Sequence, residues 1–286
     1  MRQWFSLQLL RSLFVEVDVT MHNTIKKLFK HGTVTIDYPK KPIKSSYITG
    51  MLEFDYTKCK RCMKCISSCP TGAIVLVDND KQKEKSPAVN IDECIFCRFC
   101  EEACSNKAVF LSNKFELAQK NRDTLRATPL IIQDDNVKGL DYELLGKQLK
   151  EKVSKFYGRS LNIREVDAGS CNGCDYELNA LSSPYNDLER LGIQFVASPR
   201  HADMLMVTGC VTRNMEEALI KTYNATPSPK LVIAVGACAC SGGIFKNSYA
   251  GRNGVDSVLP VDVYIPGCPP RPQALIYGIL KAIGKL

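Results

Sequence analysis

The chain has 286 residues, 45% hydrophobic and 24% charged, with a formal net charge of +8. This is ordinary globular usage with room for two domains, so collagen-like, low-complexity and wholly disordered chains are excluded. No uncharged apolar run approaches the roughly 18 residues of a spanning helix. The best candidate, Leu231 to Phe245, is broken by Gly236, Gly242 and Gly243, which argues against membrane insertion.

Residues 1–20 read as an extension detached from the rest of the chain. Met21 is a natural chain start, so these twenty are expected to be poorly ordered, or untranslated. Arg11 interrupts the apolar stretch and no A-x-A-like site comes after it, so a cleavable signal is not expected. Residues 21–50 form a basic, amphipathic segment; the first fifty residues carry eight basic against three acidic side chains. Within it, Ile25-Lys26-Lys27-Leu28-Phe29-Lys30 suits a short helix lying on anionic lipid or an acidic partner, or simply in water. The rest of the chain is nearly neutral, with no basic run interleaved with aromatics, so a nucleic-acid partner is not expected.

Residues 51–117 hold eight of the fourteen cysteines in two runs. Cys59, Cys62, Cys65 and Cys69 form C-x2-C-x2-C-x3-C followed by Pro70, and Cys94, Cys97, Cys100 and Cys104 repeat it 35 residues later. The likeness continues from Ala73-Ile74-Val75-Leu76 to Ala108-Val109-Phe110-Leu111, which marks an internal duplication. In this spacing three cysteines of a run wrap one cluster and the fourth, expected at the start of a helix, reaches the other cluster. Cys59, Cys62, Cys65 and Cys104 are therefore expected to hold one [4Fe-4S] cluster, and Cys94, Cys97, Cys100 and Cys69 a second. Zinc sites prefer two separated cysteine pairs, and disulfides need an oxidising compartment of which the chain shows no sign. Ser105 stands where the repeat would place a proline, which loosens a turn without removing a ligand.

Residues 118–157 read as a linker with a breaker at Thr128-Pro129, then a docking helix with Leu145, Leu149, Val153 and Phe156 at helical spacing. From residue 158 to 286 short apolar strands alternate with helical segments. The expected elements are Leu161–Val166, Asp175–Leu191, Ile193–Ala197, Met204–Val207, Met215–Tyr223, Leu231–Val235, Val261–Ile265 and Gln273–Ile283. That rhythm predicts an α/β fold, a doubly wound, flavodoxin-like parallel sheet, preceded by a small α+β ferredoxin domain for two [4Fe-4S] clusters.

The other six cysteines lie in this second half. Cys171 and Cys174 form a C-x2-C turn between a strand and a helix, Cys238 follows the apolar run 231–236, and Cys268 follows the strand near Ile265. Carboxyl ends of parallel strands form the ligand crevice of open sheets, so Cys171, Cys174, Cys238 and Cys268 are expected to hold a third [4Fe-4S] cluster. Cys210 and Cys240 read as small buried hydrophobes, with Cys240 the closer competitor to Cys238.

The second half resembles the small, cluster-bearing subunit of energy-converting, membrane-bound NiFe hydrogenases of the formate hydrogenlyase type, and more distantly the matching complex I subunit. The residues that carry the likeness are Val166-Asp167-Ala168-Gly169-Ser170-Cys171-Asn172-Gly173-Cys174, the segment from Ser198 to Asp203, Gly236-Ala237-Cys238 with Ser241 to Phe245, and Val261 to Pro270. The first half, from Gly32-Thr33-Val34-Thr35 to about Leu117, looks like the two-cluster ferredoxin subunit of the same complexes, here fused to its neighbour. Complex I relatives usually have adjacent cysteines at the first ligand position, so Cys171-Asn172-Gly173-Cys174 favours the hydrogenase branch.

The resemblance implies an electron-transfer subunit of an oxidoreductase complex, cytoplasmic and peripheral on the inner face of the cell membrane. Its implied partners are a NiFe-hydrogenase-like large subunit, membrane subunits and a soluble electron donor or acceptor. The alternatives are a complex I-like enzyme reducing quinone or sulfur, and a chain whose clusters are structural staples. No catalytic residue is expected on the chain itself. Glu177 reads either as a proton relay beside the third cluster or as a helix-start carboxylate. Arg200 and His201 fall where the family meets its large subunit.

Overall fold

A computed structural model of the chain describes residues 26–27, 30, 33–43, 50–79, 84–126 and 160–284. Residues 1–36 and 37–286 are two compact units. Of the first, Lys26, Lys27 and Lys30 are helical and exposed. The expected disorder of residues 1–20 and the docking helix around Leu145 and Phe156 lie outside the described residues.

The second unit begins with the duplicated cysteine region. Strand β1 (Leu52–Phe54) pairs antiparallel with β4 (Val109–Leu111), and β2 (Ile74–Asn79) with β3 (Glu84–Val89). Each cysteine run enters a single helical turn, α1 (Lys64–Ser67) or α2 (Phe99–Glu102). The two loops share one backbone path: φ is 54° at Arg61 and 59° at Met63, against 55° and 68° at Phe96 and Arg98, 35 positions on. The fourth cysteine of each run comes just after its helix, not at the start of one as expected. Both turns end two residues before the fourth cysteine, α1 with Pro70 after that cysteine and α2 with Ser105, so the proline is not needed to end them.

Beyond residue 160 the sheet is five-stranded and parallel. It comprises β5 (Leu161–Asp167), β6 (Ile193–Phe195), β7 (Met204–Thr208), β8 (Leu231–Val235) and β9 (Val263–Ile265), in the spatial order β6-β5-β7-β8-β9. This is the flavodoxin-like order, with its switch point between β5 and β7. Every residue of β7 is buried. The helices are α3 (Gly173–Asn179), α4 (Arg213–Ala225), α5 (Gly236–Ser241) and α6 (Pro272–Ala282). The helix expected over Asp175–Leu191 ends early. Ser183, before Pro184, is extended with ψ of 152°, and the chain continues through short 3-10 turns at Ala180–Ser182 and Leu188–Leu191.

One hydrophobic core runs through both halves of this unit, from Met51, Ile74 and Val109 to Val166, Leu205 and Val232. The segment after the ferredoxin region lies against the last strand: Gln119 pairs antiparallel with Tyr264, donating N–H at 3.0 Å and accepting at 2.8 Å. Beside it Asp92, fully buried, accepts from Arg122 Nε at 2.9 Å and Arg126 Nε at 3.3 Å, and Arg122 also reaches Asp256 at 2.9 Å. Ser241 Oγ donates to the Asp92 carbonyl at 2.7 Å, and Lys246 Nζ meets Glu93 at 2.6 Å. These bonds tie the ferredoxin half to the sheet half at the residues just before Cys94.

Candidate metal centres

Three groups of thiols come together. Cys59, Cys62, Cys65 and Cys104 line one cavity, closed by Met63, Pro87, Ala108 and Val109. Cys94, Cys97, Cys100 and Cys69 line a second, walled by Leu52, Ile74, Phe96 and Leu111. The empty space is about 360 and 340 Å³, counted out to the solvent mouth. The membership is crossed as the spacing predicts: the fourth cysteine of each run lines the cavity of the other.

The third group sits at the carboxyl ends of the strands. Cys171 and Cys174 follow β5, Cys238 lies in α5 after β8, and Cys268 follows β9. Burial is the main influence raising the Cys174 thiol pKa, and Cys238 and Cys268 add to it. Burial and then Cys268 push Cys238 up to about 12. Gly236 lets α5 start against the pair: a Cβ there would lie 2.6 Å from Cys174 Sγ. The Ala237 N–H donates to the Gly267 carbonyl at 2.8 Å, joining the α5 start to the Cys268 loop.

Carboxylates hold the first of these loops. Asp167 Oδ1 accepts from the Gly169 and Ser170 N–H groups at 2.8 and 2.7 Å. Asp175 accepts from Ser170 Oγ at 2.5 Å and from Thr208 Oγ1 at 2.8 Å, fastening the loop to the end of β7. Glu165 lies against Asp175, and burial first, then that neighbour, raises it to about 7. These positioning residues were not singled out by sequence, although an aspartate two residues before a glycine at a strand end is a turn signal.

The donor chemistry fits iron–sulfur clusters. Among the described residues no three His, Cys, Asp or Glu converge on a point suited to one metal ion; the thiols of the two ferredoxin groups instead line cavities. Burial pushes Cys94 up to about 12 and Cys100 up to about 11. Buried thiols of this kind give up their protons when a cationic core takes them as ligands.

The remaining candidate residues take other places. Cys240 is fully buried with Sγ 3.7 Å from the Ala234 carbonyl, and Cys210 is buried with Sγ 4.0 Å from the Gly169 carbonyl. Glu177 occupies the fifth position of α3, past its first turn, so the helix-start role does not apply. It is 4.0 Å from Arg271 and lines a crevice of about 770 Å³, counted out to solvent, with Phe96, Arg98, Cys268 and Pro269. Burial raises its pKa, against the opposing charge of Arg271. Arg200 and His201 are exposed, and the His201 carbonyl accepts from Asn162 Nδ2 at 2.9 Å.

A parallel sheet with cysteines at its crevice, preceded by a duplicated ferredoxin fold, defines a composite iron–sulfur redox protein. Residues 171–282 match the family described as NADH ubiquinone oxidoreductase, 20 kDa subunit, and residues 58–108 match the 4Fe-4S dicluster domain. A probable membrane-bound hydrogenase subunit of Pyrococcus furiosus is 47% identical over 49% of this chain and 86% of its own length. Formate hydrogenlyase subunit 7 of Escherichia coli is 49% identical over 48% of this chain and 54% of its own length. An NADH-quinone oxidoreductase subunit of Geobacter metallireducens is 51% identical over 40% and 66% respectively. The chain belongs to the 20 kDa subunit family, here carrying an iron–sulfur dicluster domain ahead of it.

Proposed function

We propose that this chain is the electron-transfer subunit of a membrane-associated NiFe hydrogenase complex and holds three [4Fe-4S] clusters on the twelve cysteines grouped above. Bound there, the clusters supply one-electron carriers in series between a redox partner and an active site on a separate large subunit. The observation that carries this reading is the proximity of the second and third thiol groups. Cys268 of the third group lines the same crevice as Phe96 and Arg98, the neighbours of Cys97 on either side.

The chain's own residues bind, insulate and orient. Leu52, Ile74 and Leu111 keep water from the second cavity. Asp167 and Asp175 hold the Cys171–Cys174 loop in place. The Asp92, Arg122 and Asp256 bonds fix one half on the other, so the second and third groups stay in register. Among the described residues no helix is long and apolar enough to cross a membrane, and attachment would come through membrane subunits. A complex I-like quinone reductase is the second reading, favoured by the 51% identity to the NADH-quinone oxidoreductase relative; the Cys171–Cys174 spacing weighs against it.

The test is the nickel-to-iron ratio of the complex captured anaerobically from native membranes with this chain as bait. Stoichiometric nickel beside at least about twelve irons per chain, four for each cluster, is the expected result. Matching iron without nickel would overturn the hydrogenase reading in favour of the quinone- or sulfur-reducing one.

A further inference from the structure

The duplication contains its own control. Arg61 in the first cysteine loop and Phe96 in the second each stand one residue before a cysteine, with φ of 54° and 55°. Asn172 takes the same left-handed conformation, φ 64°, in the Cys171–Cys174 loop. That region suits glycine or asparagine and disfavours a bulky ring. The turn itself serves the ligands: the Phe96 N–H donates to Cys94 Sγ at 3.4 Å, a main-chain bond that other side chains would leave in place. The loop therefore does not need the ring in order to form.

The surroundings of Phe96 give the ring another use. It lines the second thiol cavity with Cys69, Cys94, Cys97 and Cys100. It also lines the crevice that holds Cys268, Pro269 and Pro270 of the third group's loop. Among the described residues only Arg98 lines both spaces, and its side chain is 54% exposed, whereas Phe96 is half-buried and packs against the core. The ligands beside Phe96 are better covered than their twins: Cys94 is buried and Cys97 half-buried, where Cys59 is half-buried and Cys62 exposed. The first cavity has no residue of the sheet half in its lining, so Arg61 has no such gap to close.

We propose that Phe96 is a positioning residue for electron transfer, its ring sealing the gap between the second and third thiol groups against water. The proposal rests on the function proposed above and adds the residue that governs passage between those two centres. The step it serves moves one electron between them, one centre being oxidised as the other is reduced; no bond forms or breaks. A reduced cluster carries one more negative charge than an oxidised one, so excluding water disfavours reduction and holds both potentials down. Opening the gap would admit water and raise them.

The test uses the full-length, cluster-loaded chain in its complex and the variant Phe96→Asn, which suits the backbone and removes the ring. Iron content and EPR spectra are read first; fewer than three clusters in the wild type would sink the function reading itself. In the loaded variant, EPR-monitored redox titration is expected to show the second and third midpoints raised. Reduction there should be favoured about tenfold, ~59 mV for one electron, with the first midpoint unmoved. Pulsed EPR in D2O should show new deuterium coupling at the second cluster. Phe96→Tyr keeps a ring and should restore the wild-type midpoints. Arg61→Asn, the same change in the twin loop, should leave the second and third midpoints alone. If Phe96→Asn fails to load, Phe96→Leu is read in its place, with a smaller shift in the same direction expected. Unshifted midpoints and unchanged deuterium coupling in the loaded variant would overturn the proposal. So would an equal shift of all three midpoints, the mark of a general loosening.

Discussion

Replacing Gly236 by alanine should remove one cluster and spare two. Gly236 has φ of +87°, a conformation that costs an L-residue about 1–2 kcal/mol. The larger effect is steric: the new Cβ would stand 2.6 Å from Cys174 Sγ, 3.4 Å from the Gly267 carbonyl oxygen and 3.8 Å from Pro270 Cδ. Non-bonded heavy atoms need about 3.5 Å or more, so the sulfur has to retreat by about 1 Å. Metal–ligand distances tolerate only about 0.2 Å, so the third site should fail to close and not merely weaken. The assay is iron and acid-labile sulfide per chain with EPR of the reduced protein. The variant should lose about four irons per chain, one cluster, while both ferredoxin signals persist. Gly284→Ala is the control, since φ is +77° there and nothing lies within 4 Å of the added Cβ. It should suffer the same backbone strain and keep all its iron. Full iron and an unchanged spectrum in Gly236→Ala would refute the reasoning that places a cluster on Cys174.

Three further outcomes are expected. Cys69→Ala should abolish the signal of the cluster held by Cys94, Cys97 and Cys100, and Cys104→Ala that of its twin; EPR of the two variants reads the crossing directly. Asp92→Ala should destabilise the folded unit by about 3 kcal/mol, the lower end for breaking a buried ion pair, because Arg122 retains Asp256. Anaerobic denaturant titration measures that loss, and a change within error would show that the pair does not hold the halves together. Glu165, raised to about 7 by burial and Asp175, binds its proton more tightly in the native state than when unfolded. Its contribution to stability is therefore complete below the ordinary carboxyl pKa and is lost as pH rises through about 7. Glu165→Gln should flatten the stability profile across that window, which denaturation at a series of pH values would show.

Much of the architecture was legible because its signals are local. Cysteine spacing by itself assigns Cys69 and Cys104 to each other's cavities, and the unbroken apolar runs at Met204–Val207 and Leu231–Val235 mark buried parallel strands. The crevice rule placed Cys171, Cys174, Cys238 and Cys268 together, since all four follow strand ends. The long helix over Asp175–Leu191 was misread because its apolar spacing continued through Pro184, whose effect on Ser183 outweighed the periodicity. What could not be read was pairing at long range. No local pattern tells Arg122 that its partners are Asp92 and Asp256, or tells Gln119 to lie beside Tyr264. Those contacts exist only once both halves have folded, and they decide how the second and third thiol groups face each other.

The pairing of Gln119 with Tyr264 also bears on mass action. When two cluster-bearing proteins are separate, the fraction assembled depends on their concentrations, and either one made in excess leaves an open sheet edge exposed. Here the segment leaving the ferredoxin region covers the β9 edge within the same chain, so the pairing is intramolecular, independent of dilution and fixed at one to one. A cut between residues 127 and 159 would leave that covering segment on the ferredoxin piece and make its pairing with β9 intermolecular, open to dilution. A cut between residues 112 and 117 would leave Gln119 on the same chain as β9, so the edge would stay covered.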